Sequence, residues 1–515
     1  MATTPNSPAA GLLLGIDLGT TALKCAVFDT AGTAIAEHNV EYGLQTPQPG
    51  WVEVDVEVYW DALRTALATL FHSGVRPEAI SAAAVSAQGE TLVPVNAAGI
   101  PVRPAIVWLD TRAQAEADEL RDRFGDELYA VTGQPEMLAT WPAAKVLWLH
   151  RHEPDVAART THFLLIEDWL IQRLTGEIVT EGSLVTSTCY WDFRTKQWWQ
   201  PMLDTIGITA AQLPALLEPG TRVGPVRRAA AEDLGLSTAT EICTGALDQA
   251  CGAIGAGNIT PGGFSENTGA AVALCATLTA PTLDPAGAMP CHYHAAPDTY
   301  MFHTFTSGGI VLRWFRDRFA EPQLDAAKAS GRDSYDILGE LASTVAAGAD
   351  GLVLLPYLQG AMAPENNDAA TGVLLGVTLS HGRSHVIRAI LESIAFIVRR
   401  NVEVLAELGV PITSVRALGG GSKSAIWKQI EADVLGLPVV TMDNPDAGAL
   451  GAAVLAGVGT GVWSTAAEAA SSMVTEKRTF TPNDAHRGVY DDRYAQFTSA
   501  YSALVPVFDQ VRGNR

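Results

Sequence analysis

The chain has 515 residues, 48% of them apolar and 17% charged. That excludes a disordered chain and allows two to four domains at about 100–200 residues each. The formal net charge of -22 excludes the basic face that a non-specific grip on nucleic acid or an anionic membrane requires, although a local site can oppose the global sign.

The opening MATTPNSPAAGLLLG has no basic region and only a short apolar stretch, so no signal peptide is expected, and no apolar run approaches the ~20 residues of a membrane span. GLLLGIDLGTTALKCAVFDTAGTAIAEHNVEY predicts strand, glycine turn, strand, DTAG turn, strand, a meander of antiparallel strands. VEVYWDALRTALATLFHSG has apolar residues at helical spacing and stops at Gly74. AISAAAVSAQG predicts a buried strand running into a loop, and LIEDWLIQRLTG a short helix with a glycine stop. EICTGAL predicts a strand leading into Asp248, followed by a small-residue helix, QACGAIGAG. The pattern then restarts: GGFSENTGAAVALCATLTA again predicts strand, glycine turn, strand, a repeat of architecture rather than of sequence. A long amphipathic helix is expected over Ser384 to Gly409, and VRALGGGSKSAIWKQIEADVLG predicts strand, triple-glycine turn, helix. The alternation of strands and helices favours α/β layers, with a domain boundary between Gly255 and Gly262.

The six cysteines form no C-x-x-C pair and read as reduced core residues of a cytoplasmic protein. A zinc site is not expected, and His292 and His294 are read as structural hydrogen-bonding residues.

Three glycine turns carry the chemical signal. Glycine lets backbone N–H groups approach an anion, and converging N–H groups form a nest for one. The first turn, Gly19-Thr20-Thr21 with Lys24, adds hydroxyls and a cation; the second, Thr268-Gly269, repeats the hydroxyl and backbone pair; the third, Gly419-Gly420-Gly421-Ser422, precedes a helix and could hold phosphate or lie flat under a base. Each alone is also an ordinary tight turn. No G-x-x-x-x-G-K-[ST] is present, nor a G-x-G-x-x-G in its strand-to-helix context, which disfavours a Walker ATPase and a Rossmann dehydrogenase. Asp17, at a strand end before the first turn, either shapes that turn or holds Mg²⁺ beside phosphates. Asp248 either caps the helix it precedes or serves as a general base.

These segments resemble the FGGY family of carbohydrate kinases, in the actin, hexokinase and heat-shock-chaperone superfamily. GIDLGTTALKCAVFD looks like the first phosphate loop and PGWVEVD like the segment after it. TWPAAKVLWL looks like the lysine–tryptophan helix, with Thr140 a departure. GALDQACGAIGAG resembles the catalytic segment, GVLLGVTLSHGRSHVIRAILE the C-terminal signature and GGGSKSAIWKQIEADVLGLPV the adenosine-side loop. The resemblance covers nearly the whole chain in order. It implies an α/β fold of two ribonuclease-H-like, actin-like ATPase domains with a catalytic cleft between them, over residues 1–255 and 256–515. It implies ATP and Mg²⁺ as cofactors, Asp248 as the base that takes a hydroxyl proton, and Asp17 with Asp248 at the metal. Gly19, Thr20, Thr21, Lys24, Thr268, Gly269, Gly309, Arg313, Gly420, Gly421 and Ser424 would contact the nucleotide.

For the acceptor, SAQGETLVPV occupies the family's sugar-contact loop, and IVWLDTRA supplies Trp108, Asp110 and Arg112. Gln88, Glu90 and Trp108, with Asp248, are the expected contacts: amide and carboxylate for hydroxyls, indole for the carbon face. Trp108 could equally be core, and Asp110 a helix cap. Trp141 and Trp191 could line the cleft, though tryptophans at such places more often pack. Gly89 stands where glycerol kinases have an arginine, and MPCHYHAAPDTYMFHTFTSGG resembles the xylulokinase stretch. The expected activity is therefore phosphorylation of a ketopentose such as xylulose, with glycerol or another polyol as the alternative. A chaperone-like ATPase or sugar-sensing regulator is the competing class. The expected partner is a small sugar or polyol, with no nucleic acid and no membrane; a homodimer is compatible with this reading.

Overall fold

The structure is a computed structural model that describes residues 11–444 and 446–512. Two compact units emerge. The first takes the described chain up to Pro261 together with Thr277–Met301 and Asp446–Thr475; the second takes Gly262–Ala276, the described chain from Phe302 to residue 444, and Glu476 onward.

In the first unit the meander forms as expected, with β1 (Leu12–Leu18), β2 (Ala22–Phe28) and β3 (Ala34–Glu41) successively antiparallel. Helix α1 (Val56–His72) starts at Asp55, whose carboxylate accepts the Glu57 N–H, and stops at Ser73 before Gly74. It buries Tyr59, Leu63, Ala66, Leu67 and Leu70, the three-and-four spacing of one helix face. Each fully buried leucine stabilises that packing by about 1.5–3 kcal/mol. Strand β4 (Ile80–Ala87) lies parallel to β1, so the unit's sheet is mixed. Helix α2 (Ile166–Thr175) ends at Gly176, in the left-handed conformation. Strands β5 (Arg222–Pro225), β6 (Glu241–Cys243) and the two-residue β7 (Ala246–Leu247) complete the sheet in the order β5-β6-β4-β1-β2-β3, with β7 also pairing parallel to β4. Helix α3 (Asp248–Gly255) follows β7 directly. A helix from late in the chain, Ala447–Gly459, packs on α3, β1 and β4.

The second unit repeats the plan. Strands β8 (Phe264–Thr268) and β9 (Ala271–Leu278) form the second antiparallel hairpin, and β10 (Tyr300–Ser307) follows. Strand β11 (Val415–Leu418) pairs parallel to β8 as β4 does to β1; β12 (Val439–Met442) is parallel to β11, and β13 (Glu476–Phe480) is antiparallel to β12. The order β10-β9-β8-β11-β12-β13 matches β3-β2-β1-β4-β6-β5 position for position. The repeat visible in the sequence only as two strand–turn–strand starts is thus a repeat of sheet topology. Helix α4 (Gly309–Phe319) follows β10, α5 (Arg383–Glu407) realises the long amphipathic helix, and α6 (Ala425–Leu435) follows the triple-glycine turn. The six cysteines are all buried. Among the described residues no helix is long and apolar enough to cross a membrane.

Candidate functional site

In the first unit the carboxylates of Asp17 and Glu90 both lie within electrostatic reach of Asp248. Asp17 sits near the end of β1 and accepts the Ser86 hydroxyl at 2.6 Å. Burial raises its pKa, against the pull of the Ser86 hydrogen bond and Lys24. Asp248 is the first residue of α3, and its Oδ1 accepts the Gln249 N–H at 2.7 Å. Burial, then the charges of Asp17 and Glu90, push its pKa up to about 8. Glu90 has a left-handed backbone, φ 57°, which strains a residue with a β-carbon. Its carbonyl is held at 3.0 Å by the Lys145 ammonium, which also donates to the Val107 carbonyl at 3.0 Å. Burial pushes the Lys145 amine down, against the pull of Glu90 and Asp110. Burial holds all three carboxyls toward the neutral form, and a cation beside them would favour their ionised forms.

The remaining residues singled out for this unit fall around that group. Gln88 is buried and donates to the Tyr59 hydroxyl at 3.0 Å, while its carbonyl oxygen has no partner in the protein. Trp108 is half-buried and its indole N–H donates to the Thr20 hydroxyl at 2.8 Å, so the expected phosphate turn and the expected acceptor contact are physically joined. Gly19 closes the first turn by bonding to the Ala22 carbonyl, Thr21 is exposed, and Lys24 pairs with Asp446 and, at 3.4 Å, with Glu37. Asp110 and Arg112 form a buried bidentate pair, at 2.9 and 2.7 Å, with the guanidinium stacked 3.8 Å from the Trp51 ring centre. Asp110 also accepts the Val52 N–H, so the pair buttresses the Trp108 turn instead of capping a helix. Trp191 is 1% exposed and packs edge-on against Tyr293, a core residue; Trp141 is half-buried and donates to the Glu136 carbonyl.

The second unit contains a cavity of about 570 Å³. Thr268, Gly269, Gly309, Arg313, Gly420, Gly421 and Ser424, chosen from three distant segments, all line it. The β8–β9 turn forms one wall, the start of α4 another, and the turn before α6 a third. Gly419, with φ 71°, has no room for a β-carbon, which would lie 2.5 Å from the Asn267 side-chain Oδ1 and 2.7 Å from the Thr268 backbone carbonyl oxygen. The Thr268 hydroxyl is buried and has no partner in the protein. A Lys428 ammonium buried between Glu266 (2.8 Å) and Glu431 (2.5 Å) ties α6 to β8 and so fixes two of these walls. Ser424 caps α6, accepting the Trp427 N–H at 3.4 Å. Sequence reasoning missed Asp333, Tyr335, Asp336, Ile387, Leu391 and Trp427, which also line it. Trp427, three residues past Ser424, was the one legible signal.

Residues 12–255 match the family model for the N-terminal domain of the FGGY carbohydrate kinases, and residues 268–460 that for the C-terminal domain. The chain belongs to the FGGY family of carbohydrate kinases. It is 30% identical over 492 residues to a xylulose kinase of Bacillus subtilis (strain 168), covering 95% of this chain and 96% of that one. It is 31% identical over 509 residues to an autoinducer-2 kinase of Escherichia coli (strain K12), covering 96% and 95%. The solved xylulose kinase of Rhodospirillum rubrum superposes with a TM-score of 0.87 at 30% identity, covering 97% of this chain and 100% of that one. The FGGY chain is therefore a sugar phosphotransferase with two domains of the actin-like ATPase fold, and its family implies ATP as phosphate donor. Among the described residues, no group of three or more His, Cys, Asp or Glu side chains is arranged to hold a metal ion.

Proposed function

We propose that this kinase transfers the terminal phosphoryl group of ATP to a hydroxyl of an uncharged sugar, a ketopentose such as xylulose foremost. The observation that carries the reading is Asp248 at the head of α3, held with Asp17 and Glu90 in one carboxylate group.

The second-unit cavity suits a nucleotide. Its walls are apolar side chains of Ile387, Leu391 and Trp427 for a base, and glycine backbone with the unpartnered Thr268 hydroxyl for phosphates. Thr268, Gly269, Gly309, Gly420 and Gly421 would hold the nucleotide, with Arg313 and Ser424 at the rim. The carboxylate group suits Mg²⁺, which keeps several waters and takes one or two carboxylates plus phosphates instead of a protein cage. Asp17, with Asp248, would hold it; bound Mg²⁺ and ATP supply the phosphoryl group and screen its charge. Asp248 then accepts the proton of the attacking hydroxyl, the adjoining dication favouring its ionised form. Gln88 offers its free carbonyl oxygen and Glu90 its carboxylate to acceptor hydroxyls, and Trp108 offers a flat face to the carbon skeleton. Gly19, Thr20, Thr21 and Lys24, in the turn beside Asp17, would offer backbone N–H groups, hydroxyls and a cation to phosphates.

The charge pattern narrows the acceptor. The cation acting on Asp17, Lys24, is paired with Asp446 and Glu37, and the one acting on Glu90, Lys145, is bound to two carbonyls. An anionic acceptor would meet three carboxylates and no unengaged partner among these cations. The second relative makes autoinducer-2 the competing acceptor. ADP formation across ketoses, aldoses, polyols, aldonates and autoinducer-2 tests the reading. Turnover with an uncharged ketopentose is expected, and none with the matching aldonate. Fast ADP release without any acceptor, or preference for the aldonate, would sink it.

The nucleotide assignment has its own test. A β-carbon at Gly421 would lie 2.5–2.6 Å from the Thr268 side chain. Gly421→Val is expected to raise the ATP KM about tenfold or more, since overpacking displaces the wall by costing about 1–3 kcal/mol, with the acceptor KM unchanged.

A further inference from the structure

Strand β7 is two residues long and delivers Asp248, yet the sheet supports it from one side only: it pairs with β4, at Ser86 and Ala87. The close fit on that side is tight, because a β-carbon on Gly245 would overlap the Val85 carbonyl. The N–H groups of Gly245 and Leu247, two residues apart, point to the same edge of an extended chain. Among the described residues no strand pairs with that edge. Side chains receive the two N–H groups instead. The Gly245 N–H donates to Glu167 Oε1 at 2.8 Å, and the Leu247 N–H donates to the Ser183 hydroxyl at 3.0 Å. Ser183 is itself fixed. Its hydroxyl donates to Glu181 Oε1 at 2.8 Å and its N–H to Glu181 Oε2 at 2.7 Å. Glu167, Glu181 and Ser183 are all at least 99% buried. Burying carboxylates is costly, so their place against this edge calls for a return. A core built for packing alone would be served by apolar side chains there.

We infer that Glu167 and the Glu181–Ser183 pair are positioning residues for the phosphoryl-transfer reaction, standing in for a missing strand and setting where Asp248 meets the acceptor hydroxyl. Backbone N–H groups of the catalytic segment are thus aligned by side-chain acceptors on α2 and on the single-turn helix Gly182–Val185. The second oxygen of Glu167, Oε2, has no partner in the protein. The required feature at position 167 is therefore a single carbonyl-type acceptor, which glutamine also provides.

The test uses the full-length enzyme with ATP and its best acceptor. Glu167→Leu and Ser183→Ala are expected to lower kcat about 10- to 100-fold, the scale of a misplacement near 1 Å, with both KM values little changed. Glu167→Gln is expected to restore most of the rate. Should Glu167→Leu fail to fold, Ser183→Ala and Glu167→Gln decide. Unchanged kcat in Ser183→Ala, or a rise of both KM values in step with the fall of kcat, would overturn the inference. So would a Glu167→Gln variant as slow as Ser183→Ala. The inference rests on Asp248 as the base, and the two can fail separately. A fully active Asp248→Asn variant overturns the base assignment; an inactive one beside fully active Glu167 and Ser183 variants overturns only the positioning role.

Discussion

Asp248→Asn is expected to lower kcat about 10²–10⁴-fold, the contribution of a positioned base, while leaving ATP affinity within about twofold because the nucleotide cavity is lined wholly from other segments. Asparagine keeps the size of the side chain and its acceptor oxygen for the Gln249 N–H. It removes only the ability to take a proton and the negative charge. The loss should therefore fall on kcat for every acceptor alike, not on the choice among acceptors. Stability should hold or rise, because the variant removes a carboxyl that burial, and then the charges of Asp17 and Glu90, hold toward its neutral form. Steady-state kinetics with ATP titration, alongside thermal melting, reads all three quantities. A variant with full acceptor-dependent turnover would remove Asp248 from the chemistry, whatever its place at the head of α3.

The contrast between what the sequence showed and what it hid has a physical origin. Local signals were strong where one segment suffices. The Asp55 cap and the spacing of Tyr59, Leu63 and Leu67 specify α1 unaided, and the glycine turns specify the two hairpins. Position in the chain also carried Thr268, Gly309 and Gly420 to one cavity, because the family motifs mark strand ends that the repeated topology brings together. What stayed hidden depends on contacts between distant segments. Tyr335 and Asp336 lie on a helix whose pattern says only that it is amphipathic, and nothing in that pattern names the cavity it faces. The pairing of Trp108 with Thr20 joins residues 88 positions apart. The roles of the buried acids Glu167 and Glu181 have no local signature, since local sequence does not reveal which side chain supplies an acceptor to a distant N–H. The late helix Ala447–Gly459 is the largest such case. It belongs with the first unit although β11 and β12, which precede it, belong to the second.

That late helix leads to the second large prediction. It lies so close to β1 and α3 that a β-carbon at Gly15 would overlap the Ala449 carbonyl oxygen, and one at Gly255 would overlap that of Ala447. Both clashes are with backbone, which cannot rotate away, so the helix as a whole would have to shift. Gly15→Val should therefore cost at least about 3 kcal/mol, the upper end of ordinary overpacking, and lower the thermal midpoint by several degrees or prevent folding. Gly448, the second residue of that helix, separates stability from function. A β-carbon there would come within 2.9–3.0 Å of the Asp17 carboxylate, a side chain that can move. Gly448→Ala should leave the melting temperature close to that of the parent. It should lower kcat, and raise the Mg²⁺ concentration needed for half-maximal rate, by displacing Asp17 from its hydrogen bond with Ser86. If Gly448→Ala instead melts early with unchanged Mg²⁺ dependence, Asp17 is a packing residue and not the holder of the metal. If Gly15→Val melts with the parent, the helix is not seated against β1 as closely as the backbone positions require.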